Sequence, residues 1–425
     1  MTEQQKLEYI NHIRGLVAIE SVCDFSCPDP EFPYGKGPDA ALNYTLDLCE
    51  EMGFRTKRCG KHVAWAEVGE GSPLIGVLCH LDIVPLGEGW TKQQGEVADG
   101  CLYGRGVIDD KGPVISTIYA MKRLADNGEL KGRVRLILGQ CEETGNWIDM
   151  NWYKEHEELP DYGFTPDADF PLIYAEKGIT NLHFTADAPA FVSKLSGGTA
   201  SNVVPSSADI EMTVNGEVFT LHKDGKPAHA SRPHLGINAI SLLMNELPEV
   251  EGFAFADFYK KHIGLRTDAE GFGYTYADEV GPLTMNAGKL YLEGGKIHLI
   301  TDIRYPVTGK LEDVVAAARA AAESFGITVE SVMHLAPVYI PQDSALVKAL
   351  MEAYVEGTGD TEHQPIAIGG GTYARAMPNV VAFGSLRPGR PGVEHQADER
   401  QTLEDLYTNV EVFYLAIKKL MALPR

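Results

Sequence analysis

The chain has 425 residues, more than one ordinary core holds, so two domains are expected. Hydrophobic residues make up 44% and charged residues 23%, which is globular chemistry and argues against a disordered or collagen-like polypeptide. Acids outnumber bases by 60 to 37, and the net charge of -23 argues against nucleic acid or an anionic membrane surface as partner.

Thr2 is placed to cap a helix in which Leu7, Ile10, Ile13 and Val17 recur at helical spacing. A second helix is predicted over 38–52, stopping at Gly53. The apolar run 73–82 is bounded by turn residues, as a buried strand should be. A helix over 113–125 and a strand over 133–139 follow, a β-α-β order that implies a parallel or mixed sheet with helices on its faces. The middle of the chain changes character. Segments 179–186 and 296–304 alternate apolar and polar residues, which suits a sheet with one solvated face, and helix patterns cover 236–247 and 310–325. The last section predicts a helix over 344–355, a glycine-rich loop from Gly369 to Thr372, a strand over 379–383 and a long helix from about 402. The fold class is therefore α/β, one domain built from 1–177 and 339–425 with an inserted α+β domain over 178–338.

No apolar run approaches the roughly 20 residues of a membrane span. The opening residues lack the basic-then-apolar order of a signal peptide. The seven cysteines (Cys23, Cys27, Cys49, Cys59, Cys79, Cys101 and Cys141) are odd in number and form no C-x-x-C pair, so free thiols in a reducing cytoplasm are expected.

Five segments offer metal-ligand chemistry at strand ends or in loops. Cys79-His80-Leu81-Asp82 closes the apolar strand, and a ligating imidazole commonly gives its second N–H to a carboxylate, as Asp82 could accept from His80. Gly104-Arg105-Gly106-Val107-Ile108-Asp109-Asp110-Lys111-Gly112-Pro113 sets two carboxylates before a helix, where either could also serve as a plain cap. Glu142 and Glu143 follow a strand directly, and two such neighbours repel unless a cation is near. Asp167 and Asp169 lie in a loop that Asx-turn chemistry would also explain, and His395 sits in another loop. Each segment alone has an ordinary structural explanation. Together, two imidazoles and several carboxylates in one α/β domain suit a pair of divalent metals sharing a carboxylate.

In that order these motifs resemble the di-zinc exopeptidases that include aminoacylase, carnosinase and glutamate carboxypeptidase. Thr165-Pro166-Asp167-Ala168-Asp169-Phe170-Pro171, Ala228-His229-Ala230, Asp302-Ile303-Arg304-Tyr305-Pro306 and Gly369-Gly370-Gly371-Thr372-Tyr373 are similar to the branch of bacterial dipeptidases of the PepV type. The resemblance implies that His80 and Asp167 hold one metal, Glu143 and His395 the other, and Asp109 bridges them. Asp109 is taken over Asp110 because the family's bridging acid precedes the Lys-Gly pair by two positions. The resemblance further implies Asp82 as the residue orienting His80 and Glu142 as the base acting on a water. The inserted domain would act as a lid, its His229 stabilising the oxyanion. Asn202, Arg304, Gly370 and Thr372 are implied as substrate-binding groups. The implied activity is a metal-dependent dipeptidase with two divalent ions, zinc first and manganese or cobalt as substitutes. The alternatives are a carboxypeptidase, an N-acyl amino acid deacylase, or a non-catalytic peptide-binding protein. The implied partner is a small peptide, with no nucleic acid and no membrane, and the chain is expected as a monomer or homodimer. Glu394, before His395, departs from the apolar residue common there, and the chain is shorter than its PepV-type relatives.

Overall fold

Thr2 opens the first helix with a reciprocal cap. Its Oγ1 accepts the Gln5 N–H at 3.3 Å, and the Gln5 side chain accepts the Thr2 N–H at 2.8 Å. The helix Glu3–Val17 buries Tyr9, Ile10, Ile13, Leu16 and Val17. Leu7, expected on that stripe, is 56% exposed, and Tyr9 takes the inward position. This is a computed structural model, and it describes residues 1–26, 29–145 and 147–424. Cys27 lies outside the described residues. The other six cysteines are free.

The chain divides into two compact units, one of Met1–Tyr174, Ile340–Ile366 and Gly371–Arg425, the other of Ala175–Tyr339 and Ala367–Gly370. Residues 175–177, 339 and 367–370, which the sequence pattern put with the flanking segments, fall in the second unit.

In the first unit a mixed sheet runs in the order Arg55–Cys59, Val63–Gly69, Arg133–Gly139, Leu74–His80, Tyr162–Thr165, Val380–Ala382. Leu74–His80 is parallel to both neighbours and buried at all seven positions, as a central strand covered on both faces must be. Because these three strands are parallel, His80, Gly139 and Thr165 end them in the same direction, the direction in which ligands bind such sheets. The helices Lys111–Asp126 and Leu403–Leu420 each bury eleven residues, and Thr402 Oγ1 caps the latter by accepting the Asp405 N–H.

The second unit holds a seven-stranded antiparallel sheet, ordered Glu217–Asp224, Ser207–Val214, Val192–Gly197, Thr284–Glu293, Lys296–Tyr305, Gly178–Asp187, Thr328–Leu335. Leu182, Phe184, Leu290, Ile297 and Leu299 face a core shared with Ile240, Leu243, Val314 and Ala318 of the helices Ala239–Glu246 and Leu311–Glu323. The alternate positions of Gly178–Asp187 (Asn181, His183 and Thr185) are only half-buried. The first of these helices starts three residues later than its periodicity suggests. Ile237 pairs with Lys226 across a bridge, and Asn238 then caps the helix by accepting the Ser241 N–H at 3.0 Å. Among the described residues no helix is long and apolar enough to cross a membrane.

Candidate metal centre

The centre lies wholly in the first unit, and each side chain has a strand or turn behind it. His80 ends its strand fully buried. Its Nδ1–H donates to the backbone carbonyl of Asp82 at 2.9 Å, which turns Nε2 toward the carboxylates. The Asp82 carboxylate is 3.4 Å from Nδ1, so the contact orienting the ring is mainly through the main chain rather than the side chain that the sequence suggested. That carboxylate instead accepts the backbone N–H groups of Glu142 at 3.0 Å and Glu143 at 3.1 Å. The glutamate pair therefore sits on a single 3₁₀ turn, Glu142–Thr144, immediately past the strand Arg133–Gly139.

Asp109 stands at the middle. Its Oδ1 is 2.8 Å from His80 Nε2, and its Oδ2 is 3.0 Å from His395 Nε2. His395 Nε2 is also 3.1 Å from Glu143 Oε1, and His80 Nε2 is 3.6 Å from Asp167 Oδ2. Asp110 occupies the cap position of Lys111–Asp126 without capping it through its side chain. Its Oδ2 accepts the His80 N–H at 3.1 Å, which turns Asp110 away from the imidazole tip and leaves Asp109 there. Ligand atoms of His80, Asp109 and Glu143 lie within 4.8 Å of one another, as do those of His80, Glu142 and Asp167.

The electrostatics show a cluster short of positive charge. Burial, and then the Asp109 carboxylate, push Glu143 up to about 7 and Asp167 up to about 6. Burial and Asp167 raise Glu142 well above the carboxylate range. Burial opposes a charge on His80 and His395, but the adjacent carboxylates overcome it, raising His80 well above the imidazole range and His395 to about 11. Lys111 offers no relief, since its Nζ donates to the Ile19 carbonyl at 2.6 Å. Two imidazole nitrogens among four converging carboxylates form a donor set suited to divalent cations, which would supply the missing positive charge.

Two further residues that the sequence reading did not single out support the centre. Buried Asp149 accepts the N–H groups of Gln140 at 2.6 Å and Cys141 at 3.1 Å and the Tyr373 hydroxyl at 2.7 Å, bracing the approach to Glu142. The Tyr373 ring stands edge-on to His80, with centroids 6.1 Å apart. Buried Glu399 accepts from Arg105 Nη1 at 2.7 Å and from the backbone of Gly106 at 2.9 Å and Ile108 at 3.0 Å, so it anchors the loop that delivers Asp109. Glu399 lies four residues after His395 and could have been singled out with it. The Tyr373 hydroxyl, 224 residues from Asp149, reaches it only in three dimensions.

The remaining predicted residues divide between the units. In the second, Asn202 and His229 are neighbours. The Ala230 N–H donates to the Asn202 carbonyl at 2.9 Å, Val203 bridges to His229, and His229 Nδ1 pairs with Ser231 Oγ at 2.7 Å. Arg304 is buried in a forked ion pair with Asp302, at 2.6 and 2.9 Å. Its Nη1 donates to the Gly369 carbonyl at 2.8 Å, holding the turn that leads to Gly370. In the first unit, Thr372 Oγ1 accepts the Ala374 N–H at 3.1 Å and opens the turn carrying Tyr373.

A family model described as peptidase family M20/M25/M40 matches residues 76–419. A protein of Bacillus subtilis (strain 168) described as putative dipeptidase YtjP is 36% identical, with 98% of each chain covered. Among solved structures, the M20 family metallo-carboxypeptidase Sso-CP2 from Sulfolobus solfataricus superposes with a TM-score of 0.65 at 18% identity, covering 98% of this chain and 100% of that one. Human carnosine dipeptidase 1 also gives 0.65, at 17% identity over 99% and 97%. These two share the fold, while the model match spans the centre from His80 to His395, and on that match the chain belongs to peptidase family M20/M25/M40.

Proposed function

We propose that the chain is a metal-dependent dipeptidase that hydrolyses the peptide bond of dipeptides with a free C-terminus. The reading is carried by one observation, the division of the Asp109 oxygens between His80 Nε2 and His395 Nε2. The 36% identity to a putative dipeptidase supports it. His80 and Asp167 would hold one ion and Glu143 and His395 the other, with Asp109 shared. Zinc suits this set best, and manganese or cobalt is compatible with it. When bound, such ions polarise the scissile carbonyl and lower the pKa of a water.

Glu142 takes a proton from the attacking water and delivers it to the leaving amine. Its buried, carboxylate-rich surroundings favour the protonated form it must adopt between those steps. His229 is the donor to the developing oxyanion, a contribution of about 3–4 kcal/mol in comparable sites. Arg304 spends three N–H groups on Asp302 and Gly369, and its other donors are assigned to the substrate carboxylate. Asn202, Gly370 and Thr372 complete the substrate contacts. The chain is placed in the cytoplasm as a monomer or homodimer, a placement supported by its six free thiols.

The test is a side-by-side assay of dipeptides, N-acetyl amino acids and longer peptides, using metal-stripped protein given zinc, manganese or cobalt. The expected result is hydrolysis confined to dipeptides and dependent on added metal. Preference for N-acetyl amino acids or for longer peptides would replace the reading with deacylase or carboxypeptidase. No turnover with any ion would leave peptide binding without chemistry.

A further inference from the structure

In the second unit, the segment that carries Asn202 is seated on the sheet by a residue the peptidase reading leaves unassigned. Asn286 lies in the strand Thr284–Glu293 and is 1% exposed. Its Nδ2 donates to the carbonyls of Ser201 and Val203, both at 3.0 Å, and so holds the main chain on either side of Asn202. Its Oδ1 accepts from Asn238 Nδ2 at 3.0 Å. Both N–H groups and the carbonyl oxygen are thereby engaged, which leaves the amide one orientation. Asn238 is committed in turn, since its Nδ2 also donates to the Ala287 carbonyl at 2.9 Å. Gly288, two residues after Asn286, lets the segment come this close. A Cβ built there would press on the Ser201 carbonyl oxygen and stand 2.5 Å from the Ser201 Cα. Asn181 Nδ2 adds a further hold, on Ser201 Oγ at 3.0 Å.

From this seat the pairing runs directly to His229. The Val204 N–H donates to the Ala228 carbonyl at 2.8 Å, and the Ala230 N–H donates to the Asn202 carbonyl at 2.9 Å. Both chain neighbours of His229 are therefore fixed to residues that Asn286 holds. The Ser231 N–H donates to His229 Nδ1 at 3.2 Å, which leaves the ring proton on Nε2 and makes that nitrogen the donor. We infer that Asn286 is a positioning residue for the oxyanion donor, setting where His229 and Asn202 stand through the main chain of Ser201 and Val203. The inference rests on the peptidase reading, in which His229 stabilises the oxyanion. Asparagine is the side chain this needs. An aspartate would set a carboxylate against two carbonyl oxygens, and a leucine would leave both without a donor. Asn286 is also the register partner of Asp302, which pairs with Arg304, so one cross-strand pair steadies two of the groups assigned to the substrate.

The experiment compares N286L, G288A and the control N245A in the full, zinc-loaded chain. N286L is close in shape and removes the donors, whereas G288A keeps Asn286 and pushes Ser201 off the strand. Asn245 Nδ2 also donates to a carbonyl, that of Ser241 at 2.8 Å, but is bonded to neither Ser201 nor Val203. The first readout is amide hydrogen exchange. Val204 and Ala230 should exchange about tenfold faster in N286L and G288A, the scale of a lost hydrogen bond, with Gly178–Asp187 unchanged. N245A should exchange there as the wild type does. The second readout is dipeptide hydrolysis. In N286L kcat should fall about 10–100-fold with both ions retained, as when a group that meets the transition state is misplaced. That loss should nearly vanish once His229 is alanine, because residues acting through one another are not additive. Unchanged exchange at Val204 and Ala230 in N286L overturns the inference, whatever the chain hydrolyses. A loss of kcat as large in the H229A background as in the wild type overturns it as well. A wild-type chain that turns over no dipeptide would remove the peptidase reading instead, and the exchange rates alone would then decide whether Asn286 holds the His229 segment.

Discussion

The carboxylate of Asp82 accepts the backbone N–H of Glu142 at 3.0 Å. Its second oxygen accepts from Glu143, and its carbonyl accepts from His80, so one residue sets the orientation of three. Asp82→Ala would leave two main-chain donors without their acceptor, at about 1–3 kcal/mol each where water cannot enter. Metal affinity is expected to fall about 10–100-fold, as when the support behind a ligand is removed. Competition with a chromophoric chelator measures this, and unchanged affinity in the variant would refute the positioning role.

Glu142 is the proposed base, and its neighbour Glu143 is a proposed ligand. Glu142→Gln should therefore keep both ions while turnover drops about 10²–10⁴-fold, the span typical of a lost general acid–base group. Metal content and kcat measured on the same preparation separate the two roles. Loss of an ion together with activity would exchange them.

Arg105 and Glu399 form an ion pair with side chains 2% and 0% exposed. Breaking a buried pair strands the surviving charge, so Glu399→Gln is expected to destabilise the fold by about 3–5 kcal/mol, read from urea denaturation. Replacing both partners (R105M with E399Q) should recover part of that loss. Because Glu399 anchors the loop before Asp109, the single variant should also weaken metal binding. A single variant as stable as the wild type would show that the pair does not hold the loop.

Glu129 accepts hydrogen bonds from Lys418 at 2.8 Å and from the Tyr414 hydroxyl, tying the last helix to the segment after Lys111–Asp126. Lys418, and then Tyr414, lower its pKa from 4.5 to about 2. A depressed folded-state pKa means that the unfolded chain binds the proton first, so this stabilisation is present above pH 4.5 and is lost as pH falls toward 2. Glu129→Gln should flatten the fall of Tm across that window, with Tm modestly lower than wild type near neutrality, where the carboxylate is charged, and equal to it near pH 2. A wild-type acid limb retained in the variant would assign the loss to other carboxylates.

Much of the molecule could be read along the chain because its signals are local. Thr2, Ser344 and Thr402 announce helices by the chemistry of their own caps, and the unbroken apolar run before His80 announces a strand covered on both faces. Family motifs likewise named His80, Asp109, Glu143, Asp167 and His395. What the chain order could not express is which atom of each residue faces which neighbour. Asp82 acts on His80 mainly through its carbonyl, Asp110 turns to a backbone N–H, and Arg304 is paired with Asp302. The hydroxyl of Tyr373 reaches Asp149, 224 residues away, only once the fold has formed. Periodicity and capping arise from contacts a few residues apart, whereas hydrogen-bond direction and ligand convergence are set by packing across the sheets, where no pattern along the chain records them.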